Sequence, residues 1–394
     1  MKVEGGKLMA TLRIPVKQSI LKWVWQTASE QLNDTNRETL SNWISGAKVP
    51  TIRQLEDMSK KTHIPFGYFF LNDVPDEDIA VLKFRTVNNV HMEKPSRDLI
   101  DVINDVQTKQ VWLSEYRQQE GFEANGFNNG FRNHKSRKND SYNIAKDILD
   151  YLGLEMDWSI KAKGNRFDYL RNMLDNVGVT TIYSSYVINS TRRSLNPDEF
   201  RAFSLSDKYA PFIFINSNDS FNAMLFSLAH ELVHIWYGTS ETYNYDYKSD
   251  LSVSEQDINK VCEHILFPDK IFKNEWNKFV GLDNTQRIFE LEHVFGASPL
   301  SIAIKALHLH LIDQSVVTTI KYELNKKYQK IKQERKNSEG GPNYYTVKAH
   351  HMDKSFVQDV DRSVKSGYIT YTKAFELLNV KGTTGYDKLL EATK

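Results

Sequence analysis

Phe226-Ser227-Leu228-Ala229-His230-Glu231-Leu232-Val233-His234 is the stretch on which the reading of this chain turns. Its two histidines are four residues apart, so on a helix they stand about one turn, roughly 6 Å, apart on one face. Two imidazoles so placed can close on one tetrahedral ion. Glu231, beside the first of them, projects next to that point, where a carboxylate can take a proton from an attacking water and later pass it to a leaving amine. A helix that merely buried two histidines in its core would leave the adjacent acid on an apolar frame without a task. The residues therefore predict zinc held by His230 and His234, with Glu231 as general base of a peptide hydrolysis.

The surroundings of this stretch read as a helix. Phe221, Leu225, Leu228, Leu232 and Ile235 form an apolar stripe, Asp219 or Ser220 suits the N-cap, and Gly238 suits the stop. Before it come three β-branched or aromatic runs, Val177 to Tyr183, Phe200 to Leu205 and Pro211 to Ile215, which predict a small antiparallel sheet. After it a helix is predicted from Ser254 to Phe267, ending at Pro268, and helical pattern resumes from Thr285 to about Lys336. Gly340-Gly341-Pro342 then breaks the chain before a short C-terminal module. Toward the N-terminus, Leu21 to Phe70 suits several short helices and Pro95 to Gln119 a longer one, while the polar Asn125 to Asp140 reads as a linker or exposed loop. The predicted class is α+β, with a small sheet and mostly helical flanks.

A catalytic zinc needs a third protein ligand and one position left open. Asp246, Asp250, Glu255, Asp257, Glu263 and His264 all follow at usable distance, and spacing alone does not choose among them. The metzincin continuation is excluded, because Tyr237 and Ser240 stand where it needs glycine and histidine. A gluzincin arrangement, with a glutamate from the next helix, is the expectation. Glu255 and Asn259 share one face of that helix, and Glu263 lies two turns beyond Glu255.

Composition narrows the setting. Fifty-one Lys and Arg against fifty Asp and Glu leave no global basic field, so nucleic-acid binding would need a local patch. Cys262 is the single cysteine, which excludes an intrachain disulfide framework. With no leader pattern at the N-terminus and no long apolar run, a cytoplasmic protein without a membrane partner is expected. At 394 residues, two or three domains are expected.

Three blocks in order, Pro211-Phe212-Ile213-Phe214-Ile215-Asn216, then Phe226 to His234, then Glu255-Gln256-Asp257-Ile258-Asn259 running to Leu266-Phe267-Pro268, resemble the ImmA/IrrE family of zinc metallopeptidases. The resemblance implies Glu255 as the third zinc ligand, with Glu263 in reserve. Val233 stands where the family has the glycine of HELGH, and Ile258, Val261 and Cys262 replace alanine, an aromatic residue and alanine in the third block; these swaps bear on helix packing.

The N-terminal segment resembles an XRE-type helix-turn-helix through Leu40-Ser41-Asn42-Trp43, Ser45-Gly46, Pro50-Thr51, Leu55 and Ile64-Pro65 to Phe69-Phe70, although its first helices lack the usual Gln- and Gly-bearing turn. That resemblance would send the helix around Arg37 to Ile44 into a major groove, with Arg37, Ser41 and Asn42 offered to base edges or phosphates. A module for protein contact or dimerisation is the alternative its balanced charge allows. Phe84-Arg85-Thr86 is similar to the junction of fused versions, and Glu290 to Leu311 to a second helix-turn-helix-like element. The expected domains are 1–90, helix-turn-helix; 91–165, helical connector with a flexible loop; 166–275, zinc metallopeptidase; 276–337, helical; and 338–394, a C-terminal module.

The resemblance implies a regulatory endopeptidase that cleaves a repressor or antitoxin-like protein while its N-terminal domain binds operator DNA or a partner, a second copy of the chain among them. The competing expectation is a DNA-binding regulator or antitoxin whose peptidase-like domain senses or scaffolds with little turnover.

Overall fold

In a computed structural model, residues 12–75, 95–133, 140–188, 190–238, 253–335 and 343–393 are described. They fall into two compact units, one within Met1–Ile79 and Met92–Asp101, the other within Ala80–His91 and Val102–Lys394. No helix among the described residues is long and apolar enough to cross a membrane.

The first unit is helical, as its sequence predicts. Helices Gln18–Ala28, Asp34–Ile44 and Ile52–Thr62 surround a core of Ile20, Leu21, Val24, Leu40, Trp43, Leu55 and Met58. Asn33 caps the second helix by accepting from Asn36 N, and Thr51 with Gln54 forms a capping box on the third. These caps explain why helices of only three turns start where they do. Phe84-Arg85-Thr86 lies outside the described residues.

The second unit is built on a three-stranded sheet in the order β1 (Thr180–Ser184), β5 (Phe212–Asn216), β4 (Ala202–Leu205). A separate hairpin, β2 (Tyr186–Val187) and β3 (Ser190–Ser194), leaves from β1. The three strands lie where the apolar runs predict them, but the sheet is mixed and not antiparallel. β1 and β5 run parallel, Thr180 opposite Phe212 and Ser184 opposite Asn216, while β4 and β5 are antiparallel. The hairpin and β4 lie between β1 and β5 in sequence, and a connection of that length lets the chain return in the same direction. β5, central and buried at every position, is the near-continuous apolar run that a strand covered on both faces needs.

Helix Phe221–Tyr237, the motif helix, packs on β4 and β5, with Ser220 as N-cap and Gly238 in the left-handed region at φ 65° as its stop. It is buried on nearly all sides from Met224 to Tyr237, a wider apolar surface than the single stripe predicts. Helix Glu255–Leu266, capped by Ser254, lies against it and is held there by Cys262 Sγ, 3.4 Å from Ala229 O. The C-terminal end of this second helix is tied down by Trp158 Nε1, which donates to Ile265 O, and by Ser159 Oγ, which donates to Leu266 O. Helices Asn284–Phe295, Pro299–His308 and Gln314–Arg335 extend the same core, with Gly296 ending the first of them.

The segment predicted as a polar loop is in large part an element of this core. Phe127 and Phe131 are buried, Gly130–Asn133 forms a 3₁₀ turn, and Asn129 N donates to Ile235 O of the motif helix. Asn125 accounts for the polar composition: its Nδ2 donates to Val177 O while its Oδ1 accepts from Phe127 N and Asn128 N. Residues 134–139 lie outside the described residues. Trp236 stacks edge-on with Phe127 at 5.2 Å and Tyr151 at 5.8 Å, directly over Gly130, whose added Cβ would come within 2.5 Å of the indole. Trp236→Ala is therefore expected to cost about 3–5 kcal/mol, read by denaturant unfolding; a loss under about 1 kcal/mol would mean the segment does not pack as described.

The C-terminal helices close the open side of β1. Thr181 N, on this edge strand, donates to Asp353 Oδ2, and Asp353 Oδ1 caps helix Lys354–Lys365 at Phe356 N. The Arg171 guanidinium donates to the carbonyls of His350 and Met352, and Tyr183 Oη lies 3.0 Å from His350 Nδ1. Helix Arg97–Gln119 fastens the strand ends from another direction: Gln110 donates to Leu205 O and Ala210 O, Arg117 to Gly178 O and Tyr209 O.

Candidate metal centre

The motif helix brings His230 and His234 side by side, both buried, with ring centroids 4.9 Å apart. Their Nε2 atoms are 3.2 Å apart, and Glu255 reaches in from the first turn of the neighbouring helix, Oε2 at 3.3 Å from His230 Nε2 and Oε1 at 3.6 Å from His234 Nε2. An ion with four tetrahedral ligands at about 2.0–2.1 Å sets ligand-to-ligand edges of about 3.3–3.4 Å. The Nε2–Nε2 distance of 3.2 Å and the nearest nitrogen-to-carboxylate distances of 3.3 Å, to Oε2, and 3.6 Å, to Oε1, are close to such edges, and one donor atom from each of the three residues lies within 4.8 Å of the other two. This is the group of metal-capable side chains found among the described residues. A protonated histidine paired with Glu255 would account for one of the short distances; the convergence of all three donors is what an ion accounts for.

His230 is oriented from behind. Its Nδ1 lies 3.2 Å from Asn259 Oδ1, one turn beyond Glu255 on the same helix face. A carbonyl oxygen only accepts, so Nδ1 carries the proton and Nε2 presents its lone pair toward Glu255 and His234. Such support of a ligating imidazole is worth about 10–100-fold in metal affinity. Asn259→Leu is thus expected to weaken zinc binding by that factor with the helix intact, measured by competition with a chromophoric chelator; unchanged affinity would remove Asn259 from the centre.

Glu231 is buried, and its Oε2 accepts a 2.8 Å hydrogen bond from Ser204 Oγ on β4. One residue from His230 and three from His234, it lies on the side of the helix that carries the two imidazoles. The bond from Ser204 fixes the carboxylate's orientation across the contact between helix and sheet. Nothing in the sequence signals it: a serine in the second β run, 27 residues before the glutamate, carries no mark of which face it takes. Tyr237, at the end of the same helix, is pushed up to about 12 by burial, so its phenol keeps its proton at neutral pH.

The other acids considered as ligands are placed elsewhere. Glu263 is buried among Lys305, 3.5 Å from its Oε2, and His308 Nδ1, 2.7 Å from its Oε1. His264 faces Asp269 at 3.6 Å, with its proton affinity lowered by burial and then by Lys305. Asp257 accepts from Ser254 at the helix start. Asp246, Asp250 and Ser240 lie outside the described residues.

In the N-terminal unit, Ser41 is exposed and Asn42 half-buried on helix Asp34–Ile44. Arg37 is directed into its own fold: Nε donates to Ser29 O at 2.8 Å, an Nη to Glu30 O at 3.3 Å, and Asp34 lies 3.6 Å away. It closes the 3₁₀ turn that precedes the helix.

A small mixed sheet, a buried helix carrying HExxH and a glutamate delivered by the next helix define a metallopeptidase-type domain. Residues 175–307, about a third of the chain, match the family model of peptidase family M78, described as the IrrE N-terminal-like domain. The match includes β1, the motif helix and Glu255, and agrees with the resemblance that the three sequence blocks carry. No curated protein and no solved structure matches the chain.

Proposed function

We propose that this protein is a zinc-dependent endopeptidase in which His230, His234 and Glu255 hold the metal and Glu231 is the general base. The observation that carries the reading is the convergence of two Nε2 atoms and one carboxylate at tetrahedral edge lengths beside a buried glutamate. When bound, zinc supplies Lewis acidity that polarises a peptide carbonyl and makes water a nucleophile near neutral pH. Glu231, held by Ser204, accepts the proton of the attacking water and returns it to the leaving amine. Asn259 holds His230 in the tautomer that leaves Nε2 free for the ion.

The substrate class in this reading is a repressor or antitoxin-like protein, supported by the match of residues 175–307 together with the resemblance of the N-terminal segment to an XRE-type helix-turn-helix. The N-terminal helices serve as tether to operator DNA or to a protein partner. Arg37, Ser41 and Asn42 are the residues offered there, Arg37 also shaping the helix start through its bonds to Ser29 O and Glu30 O. The test is a comparison of newly formed protein N-termini in cells making the wild type or Glu231→Gln. Cleavage products confined to the wild type and derived from DNA-binding regulators support the reading; identical sets of N-termini would overturn it in favour of a scaffold with little turnover.

A further inference from the structure

The C-terminal helices meet the sheet through one buried carboxylate. Asp353 is 1% exposed, and its two oxygens accept from Thr181 N on β1 and from Phe356 N at the start of helix Lys354–Lys365. It thereby bridges positions 172 residues apart and closes the outer edge of β1, whose other edge pairs with β5.

Both donors are neutral amides, and among the described residues no ion pair joins Asp353 to a cation. The two guanidinium groups around it are directed at backbone carbonyls. Arg171, on helix Arg166–Asn176, donates to Thr181 O, His350 O and Met352 O, and Arg117 to Gly178 O and Tyr209 O. Negative charge faces Asp353 from two elements. Asp175 stands one turn beyond Arg171 on the same helix, and Asp359 lies on helix Lys354–Lys365, where Arg362 pairs with it at 2.7 Å. Asp168, His350 and Lys354 complete the surroundings, lining with Asp175 a cleft of about 330 Å³ that Asp353 borders. His351 is pushed down to about 4, chiefly by burial, so it is neutral at pH 7 and supplies no counter-charge. A carboxyl group moved from water to such a place favours its protonated form. Asp353 is accordingly pushed well above its ordinary 3.8, first by burial and then by the charge of Asp175, against Arg171 and the two amide bonds.

We propose that Asp353 is a proton-controlled clasp, through which the C-terminal helices grip the edge of β1 tightly when the carboxyl carries a proton and loosen when it ionises. The sign follows from linkage. An undocked Asp353, in water, loses its proton at the ordinary carboxylate value, whereas the docked group keeps it to higher pH. Docking is therefore free of the charge penalty at acid pH, weakens as pH rises above 3.8, and stops weakening once Asp353 ionises in place. The slope is at most about tenfold in the docking equilibrium per pH unit. Lys348, at about 8, acts on the alkaline side of this range, so the two effects separate. The clasp holds whether or not the chain cleaves peptides.

Hydrogen exchange of the full-length protein from about pH 5 to about pH 7.5, corrected for the intrinsic pH dependence of amide exchange, reads the docking at Thr180–Ser184 and at residues 352–357. In the wild type, protection there should fall with rising pH by several-fold or more, while helix Gln18–Ala28 of the other unit stays level. Asp353→Asn cannot ionise, and the fall should vanish whatever its absolute level of protection. Asp175→Asn keeps Asp353 and its two bonds but removes the neighbouring charge; protection should be unchanged near pH 5 and raised several-fold near pH 7.5, about what a shift of half to one unit supplies. That variant carries the test should Asp353→Asn fail to fold. Wild-type protection that is level or rises with pH would overturn the proposal, as would a fall of equal size in Asp353→Asn.

Discussion

Glu231→Gln is expected to lower cleavage by at least about 10²–10⁴-fold, the range general acid–base catalysis supplies, while the protein keeps its full zinc content. The amide is nearly isosteric and still accepts the hydrogen bond from Ser204 through its oxygen, so the buried surroundings on β4 persist. What it loses is the ability to take a proton. Neither imidazole nor Glu255 is touched, so both Nε2 atoms and the Glu255 carboxylate keep their places. Loss of zinc together with activity would instead give Glu231 a structural part in the centre, and full activity would remove it from the chemistry.

The second large effect concerns pH and the C-terminal helices. Lys348 has an ordinary value of 10.5 and is lowered to about 8 in the folded chain, chiefly by burial. Between those values the unfolded chain binds the proton and the folded chain does not, so this group's contribution to stability rises with pH from about 8 to 10.5. Below about 8 both states carry the proton and the penalty is fully present, on the order of 3 kcal/mol for a difference of this size. The difference in unfolding free energy between Lys348→Met and wild type should accordingly be largest, in the variant's favour, near pH 7 and shrink toward pH 10, less about 1 kcal/mol for the lost bond to Asn379 O. Denaturant titrations of both proteins at several pH values, in buffer free of small anions, measure it. A difference that does not change with pH would place Lys348 in contact with solvent.

The centre was legible in the sequence to differing depth at each residue. His230, Glu231 and His234 follow from one helical turn, and Ser220 and Gly238 mark where that helix begins and ends. Glu255 needed the family resemblance, because the chain between the two helices is long and several acids follow it. The geometry separates them: Glu255 meets both histidines, whereas Glu263, two turns on, is engaged by Lys305 and His308. Ser204 was invisible because a strand's two faces cannot be told apart when every residue on it is buried. Asn125 to Asp140 reads as a linker or exposed loop because asparagines that satisfy backbone groups, as Asn125 does, look the same in sequence as asparagines in water. Arg37 carries a contact that composition does not signal: its guanidinium donates to two carbonyls of its own unit while the side chain keeps partial exposure. The parallel pairing of β1 with β5 depends on what the intervening chain does, which no local pattern encodes.

The central claim is that His230, His234 and Glu255 together hold one zinc, and the most direct measurement is the metal content of protein purified without chelator, for the wild type, Glu255→Ala and Glu263→Ala. About one zinc per chain in the wild type and in Glu263→Ala, with the metal lost from Glu255→Ala, is the predicted result. A wild type without zinc, or zinc lost from Glu263→Ala and kept by Glu255→Ala, would contradict it.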